Sequence, residues 1–203
     1  MAAVLKTKLT AREYLALERR AEFKSEFFNG EMFAMAGASP RHNFIRENLS
    51  VEIGSRLKGS PCRTISADQR VHVSRTGLYT YPDLLIMCGP PVLDPEDDHA
   101  IINPVAIVEV LSPSTEKYDR GAKFRNYQQL PSLMEYILVA QDEAVIERFV
   151  RQADGSWGLI SFVGLEATLA FTTVPVQIPL TDVYSGVSFD SVESNSTLVS
   201  RTV

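Results

Sequence analysis

The sequence has 203 residues, with 20 Lys and Arg against 25 Asp and Glu and a formal net charge of -5. Its 45% hydrophobic and 22% charged residues are ordinary globular values, which exclude a disordered chain, a coiled coil and a collagen-like repeat. The acidic balance argues against a protein that grips nucleic acid with its whole surface, because such binding is driven by neutralising phosphates. The length predicts one domain over 1–190, followed by a polar tail at 191–203. No apolar run reaches the roughly 18 residues of a membrane span. The start carries charges where a signal peptide is apolar, so a cytoplasmic protein without membrane partners is expected. Cys62 and Cys88 lack metal-ligand spacing and are too few for a disulfide framework; both read as small buried hydrophobes.

Thr10-Ala11-Arg12-Glu13 has the form of a capping box and predicts a helix to about Glu18. Phe23 to Phe28 and Glu31 to Met35 read as two strands joined at Asn29-Gly30, a pair that accepts the positive φ of a tight hairpin turn. Ser39-Pro40 then caps a helix whose apolar stripe is Ile45, Leu49, Ile53 and Leu57, ending near Gly59. Three β-rich segments follow: Cys62 to Ser66, Arg70 to Ser74, and Tyr79 to Cys88. A loop rich in Pro and Asp from Gly89 to His99 leads to a buried strand, Val105 to Leu111. Ser112-Pro113-Ser114-Thr115 breaks that strand and can cap a helix from about Glu116 to Leu130, where Pro131 enforces an end. Met134 to Val139 reads as another buried strand, with Ala144 to Arg151 as its antiparallel neighbour. Edge strands at Trp157 to Ile160 and Val174 to Ile178, and a weaker terminal segment around Leu180 to Tyr184, complete the chain. The order of elements predicts an α/β or α+β fold around a mixed central sheet flanked by helices.

Buried strands rarely hold carboxylates, since an unpaired charge in a low-dielectric site costs several kcal/mol or more. Two strands here carry one each. Asp83 stands at the mouth of Leu84 to Met87, directly after Pro82, and Glu109 lies among aliphatics 26 residues later. If the strands are neighbours the carboxylates converge, and paired oxygen ligands in a fixed cleft suit a hard cation such as Mg²⁺. Asp119, Lys123 and Tyr127 are spaced i, i+4, i+8 on the following helix, so polar chemistry can face the same cleft. A lysine there can orient or deprotonate the attacking water and offset charge on a phosphorane. Lys117, Arg120 and Arg125 add charge that can position phosphates. The ordinary alternatives are an arginine such as Arg120 satisfying Glu109, a strand-entry role for Asp83, and a solvated helix lysine at 123. The aromatics Phe27, Phe28, Phe33, Phe124, Tyr127 and Tyr136 read as core rather than base-stacking groups. His72 and His99 have no partner spacing, and neither a nucleophile elbow nor a Gly-rich phosphate loop is present in the sequence.

Pro82-Asp83, then Val108-Glu109-Val110-Leu111-Ser112-Pro113-Ser114-Thr115, then Tyr118-Asp119-Arg120 with Lys123 and Tyr127, and finally Glu135-Tyr136-Ile137-Leu138-Val139 resemble the Uma-two family of restriction-endonuclease-like proteins. Asn29-Gly30-Glu31 and His42 fit that family's beginning, and the resemblance spans roughly residues 10 to 190. It implies a PD-(D/E)XK nuclease fold with an N-terminal β-hairpin. It also implies phosphodiester cleavage in DNA with Mg²⁺, or Mn²⁺ in its place. Asp83, Glu109 and Val110 become the metal-holding positions, and Lys123 becomes the catalytic lysine. Glu31, His42, Asp119, Arg120 and Tyr127 become candidates for supporting or substrate contacts. A homodimer is expected by analogy with restriction enzymes, in which two sites address two strands. The superfamily lysine belongs two residues after the acid, where this sequence has Leu111. Two further readings stand beside the nuclease: a non-catalytic nucleic-acid-binding or assembly module, and a phosphodiesterase for small nucleotides.

Overall fold

The computed structural model describes residues 8–189, and the expected polar tail at 191–203 lies outside them. Helix α1 (Ala11–Glu18) begins on the expected capping box. Thr10 Oγ1 accepts the Glu13 N–H at 3.2 Å, and Glu13 accepts the Thr10 N–H at 2.7 Å, so two helix-start donors without intrahelical partners are satisfied. Strands β1 (Ser25–Phe28) and β2 (Glu31–Ala34) turn through Asn29 and Gly30 at φ 50° and 83°. Helix α2 (Pro40–Arg56) buries Ile45, Leu49 and Ile53 completely.

The chain continues through β3 (Cys62–Ser66), β4 (Arg70–Val73), β5 (Leu78–Thr80), β6 (Leu84–Cys88), β7 (Leu93–Asp94), β8 (Asp97–Ile101) and β9 (Ala106–Val110). A helix follows in three pieces, α3 (Glu116–Tyr118), a π-turn (Asp119–Lys123) and α4 (Phe124–Tyr127). Strands β10 (Glu135–Val139), β11 (Val145–Arg151), β12 (Trp157–Val163), β13 (Thr168–Ala170) and β14 (Gln177–Pro179) then lead into a last helical turn, α5 (Leu180–Val183). The central sheet has the order β12-β11-β10-β9-β6-β3, with β9 and β10 parallel and the other neighbours antiparallel. A second six-stranded sheet has the order β2-β1-β5-β4-β8-β7.

The expected α/β architecture is therefore present, with helices flanking a mixed central sheet and a hairpin ahead of it. Its second sheet was not foreseen. The single strand expected over Tyr79 to Cys88 is two strands, β5 and β6, in different sheets. Pro82 lies between them and has no N–H to donate to a ladder, so the chain changes sheets there. The segment expected as a loop from Gly89 to His99 contains β7 and the start of β8.

Side chains alternate across β9. Ala106, Val108 and Val110 enter a core shared with α2, the β13–β14 hairpin and α5, whereas Ile107 and Leu111 enter a second core with β4, α4 and β10. Glu109 shares the face of Ile107 and Leu111 by the period of two. Cys62 and Cys88 are opposed across β3 and β6 and form a disulfide. This corrects the reading of two independent hydrophobes, because strand register, not sequence spacing, decides which cysteines meet.

Glu135 belongs to the family-like string but is structural. It is fully buried at the start of β10, and its carboxylate accepts the backbone N–H of Thr172 at 2.8 Å and of Thr173 at 3.0 Å, together with both hydroxyls. Glu135→Ala strands these donors and the nearby Arg148, and is expected to cost about 3–5 kcal/mol, as for a broken buried ion pair. A urea titration that finds a loss under about 1 kcal/mol would show that this tether carries little of the fold's stability.

Candidate functional site

The sheet change at Pro82 presents Asp83 beside the end of β9. Its carboxylate accepts the Val110 N–H at 2.8 Å and faces His42 Nε2 at 3.2 Å, while its own N–H points to Glu109 Oε2 at 3.4 Å. The two acids anticipated from the sequence are thus held side by side, Glu109 by the N–H of Asp83 and Asp83 by the N–H of Val110, the residue after Glu109. The Asp83 side chain retains 21% exposure and opens on a cleft of about 780 Å³. Glu109 is 4% exposed beneath it.

Lys123 reaches this pair from the helix covering the same face of β9. Its Nζ lies 2.8 Å from Glu109, 3.2 Å from Glu26 and 3.5 Å from Asp119. Tyr127 OH donates to the same Glu109 oxygen at 2.9 Å. The expected polar stripe of Asp119, Lys123 and Tyr127 therefore faces the cluster, but it does so through a π-turn over 119–123. Such wide turns are rare and concentrate at functional sites. A lysine at 111 would have shared Glu109's face; Leu111 there packs in the core with Phe124 and Tyr127, and the helix supplies the ammonium instead.

Four carboxylates, of Asp83, Glu109, Glu26 and Asp119, surround one ammonium and one imidazole. Burial pushes the Glu109 carboxyl up to about 8, against the opposing pull of Lys123 and with Asp119 and Asp83 adding to the rise. Burial also raises Asp119. Burial alone would lower Lys123, but Glu109, Tyr127, Glu26 and Asp119 outweigh it and hold the amine well above its ordinary value. Lys123 is therefore a fixed cation in a pocket with surplus negative charge.

That surplus fits a divalent cation. Among the described residues no three His, Cys, Asp or Glu side chains form a ready-made metal cage. A Mg²⁺ site, however, needs only one or two carboxylates and keeps waters or substrate oxygens for the rest. Asp83 and Glu109 provide hard oxygen donors of that kind, and Val110 lines the cleft beside them.

The structure distributes the other anticipated residues unevenly. His42 is buried rather than on the surface, because it lies three residues before Ile45 and extends the inward stripe of α2; its Nδ1 has no hydrogen-bond partner. Glu31 is exposed opposite Phe28 at the hairpin end and stays out of the cluster. Glu26, on the other hairpin strand, takes that place and also accepts from Thr80 Oγ1. Arg120 leaves the cleft to pair with Glu116 and Glu147, so it does not satisfy Glu109. Lys117 and Arg125 are exposed and do not line the cleft. His72 meets Asp94 in the second sheet. Of the aromatics, Phe27, Phe124, Tyr127 and Tyr136 are core, whereas Phe33 is 48% exposed on the cleft wall. Sequence reasoning missed Glu26, and also Tyr118 and Arg46, which line the cleft. A usable signal existed for Arg46, four residues after His42 on the same helix.

Residues 11–181 match the Uma2 family, described as "Putative restriction endonuclease". The chain belongs to the Uma2 family. Two proteins of Synechocystis sp. (strain ATCC 27184 / PCC 6803 / Kazusa) are similar along nearly their whole length. "Uncharacterized protein slr1290" is 35% identical over 182 residues, covering 90% of this chain and 94% of that one. "Uncharacterized protein sll1609" is 35% identical over 181 residues, covering 87% and 100%. A crystal structure described as a "putative nuclease belonging to DUF820" from Anabaena variabilis ATCC 29413 superposes with a TM-score of 0.73 at 18% identity, covering 89% of this chain and 99% of that one. The shared fold is that of restriction-endonuclease-like nucleases. Among the described residues no helix is long and apolar enough to cross a membrane.

The environment of Glu109 sets a pH signature. Its folded value lies above the unfolded 4.5, so its contribution to stability is complete below 4.5 and is lost as pH rises through about 8. In metal-free buffer the melting temperature of the wild type is expected to fall across that window more steeply than that of Glu109→Gln. Parallel curves would mean that Glu109 is ionised throughout.

Proposed function

We propose that this chain is a metal-dependent endonuclease that hydrolyses phosphodiester bonds in DNA within a single domain over 1–190. The observation that supports this most directly is the buried Lys123 ammonium 2.8 Å from Glu109, beside an Asp83 that opens on the cleft. Asp83, Glu109 and the backbone of Val110 would hold Mg²⁺ or Mn²⁺. When bound, the cation would polarise the scissile phosphate and make water a better nucleophile at neutral pH.

The remaining work falls to side chains. The Val110 N–H and His42 hold Asp83 in one orientation, and Tyr127 does the same for Glu109. Lys123 orients the attacking water and offsets negative charge as the phosphorane forms; it does so in a buried setting where a fixed charge acts more strongly than in water. Glu26 and Asp119 keep that amine protonated and in place. Leu111, at the position where the resemblance puts a lysine, favours a second reading, a non-catalytic module that binds nucleic acid through the same fold.

Calorimetric titration of Mg²⁺ and Mn²⁺ decides between them when paired with cleavage of circular single-stranded and supercoiled double-stranded DNA. Glu109→Gln is expected to abolish metal binding. Lys123→Met, which retains the aliphatic stem, is expected to lower cleavage by about 10²–10⁴ while metal still binds. Metal-independent DNA retention without product in the wild type would establish the second reading.

A further inference from the structure

We infer that the cleft takes single-stranded DNA, with unpaired bases stacked on an apolar lip formed by Phe33 and Met35 and a flanking phosphate on Arg46. The inference rests on the nuclease reading and narrows its substrate.

Phe33 on β2 lies directly opposite Glu26 on β1. Directly opposed residues of an antiparallel pair share a face, so Phe33 stands on the side of the hairpin from which Glu26 reaches Lys123. Met35, two residues on, continues that side, its N–H still bonded to the Lys24 carbonyl at 3.0 Å. Both line the cleft and remain 48% and 41% exposed. From Met35 to Ser39 the lip consists of Ala36, Gly37 and Ala38, exposed and without a polar side chain. Apolar exposure of this extent directly beside a carboxylate cluster has no role in packing the core.

A duplex gives such a wall nothing to hold, because its base faces are covered and its outside is phosphate. Proteins that grip a duplex neutralise about 6–10 phosphates. Here Lys123 is committed to three carboxylates and His42 to Asp83. The basic side chain left on the cleft wall is Arg46, one helical turn beyond His42, with no ion-pair partner among the described residues. A single guanidinium beside an apolar shelf matches a strand whose bases are bare: stacking supplies sequence-tolerant affinity and the arginine anchors the backbone. The cavity of about 780 Å³ is of a size that encloses a small-molecule ligand, which corresponds to one or two nucleotides rather than a duplex segment.

Fluorescence anisotropy with a labelled oligothymidine of about 12 nucleotides and a mixed-sequence duplex of equal length tests this. A chelator is present throughout, so that binding is read apart from cleavage. The single strand is expected to bind about tenfold more tightly, with a slope of log affinity against log salt of about -0.7, for the one phosphate on Arg46. Phe33→Ala, at a half-exposed site where an unchanged melting temperature verifies folding, is expected to weaken single-strand binding about tenfold and leave the duplex unaffected. Arg46→Ala removes most of the salt dependence. Equal affinity for both substrates, no binding of either, or a Phe33→Ala protein that binds like wild type overturns the inference. A protein that cuts DNA with Mg²⁺ yet binds both forms alike retains the nuclease reading and loses this one; single-strand binding through Phe33 without any cleavage does the reverse.

Discussion

Placing one largely buried ammonium among carboxylates constrains this structure more than any other interaction in it. Removing a charged group from water costs several kcal/mol even after relaxation, and the cost is recovered only with close, multiple partners. Lys123 has those partners because three separate parts of the chain converge on it: Glu26 from the hairpin, Glu109 from the central sheet, and Asp119 from its own helix. Without the amine each partner would lose the opposite charge closest to it. The second sheet is thereby tied to the central one by charge as well as by the apolar core that its Val71, Val73 and Leu78 share with Leu85, Ile107 and Tyr136.

Two departures from regular secondary structure make that convergence geometrically feasible. At Pro82 the strand is interrupted, so Asp83 leaves the ladder and its carboxylate caps the Val110 N–H of β9, the neighbour of β6 in the central sheet. In the helix, the π-turn over 119–123 widens the backbone by an extra residue per bonded ring, rotating Lys123 toward Glu109 while Phe124 and Tyr127 stay in the core. Regular elements supply the packing, and the interruptions aim the polar groups. Both interruptions place a side chain, Asp83 at one and Lys123 at the other, in the same carboxylate cluster.

How far the site was legible depends on whether a residue broke a pattern. Asp83 and Glu109 stood out because carboxylates amid aliphatic strand residues are costly, and Lys123 stood out because its spacing from Asp119 and Tyr127 repeats a helical face. Glu26 was hidden for the opposite reason. The hairpin has aromatic residues on both faces, Phe27 on one and Phe28 and Phe33 on the other, so alternation alone could not show which glutamate turned inward, and Glu31 was named only through the family resemblance. The π-turn, the exchange of sheets after Thr80 and the opposition of Cys62 to Cys88 all depend on long-range register, which a local pattern does not encode. The fold class needed only element order; the partners within it needed the tertiary structure.

The acidic net charge of -5 and the proposed nucleic-acid substrate are reconciled by the way charge is layered in the cleft. Its floor is anionic and is suited to a cation that would itself carry positive charge to the phosphate. Its wall is apolar along Phe33 and Met35 and offers one unpaired guanidinium, Arg46. In the proposed nuclease, attraction to phosphate would be concentrated at the reacting bond rather than spread over the surface. Affinity elsewhere must come from a source that net charge does not oppose, and the exposed faces of unpaired bases are such a source. A protein built this way needs no basic patch to hold its substrate, and its overall acidity works against retention of intact duplex, whose dense phosphate rows meet a surface of like sign.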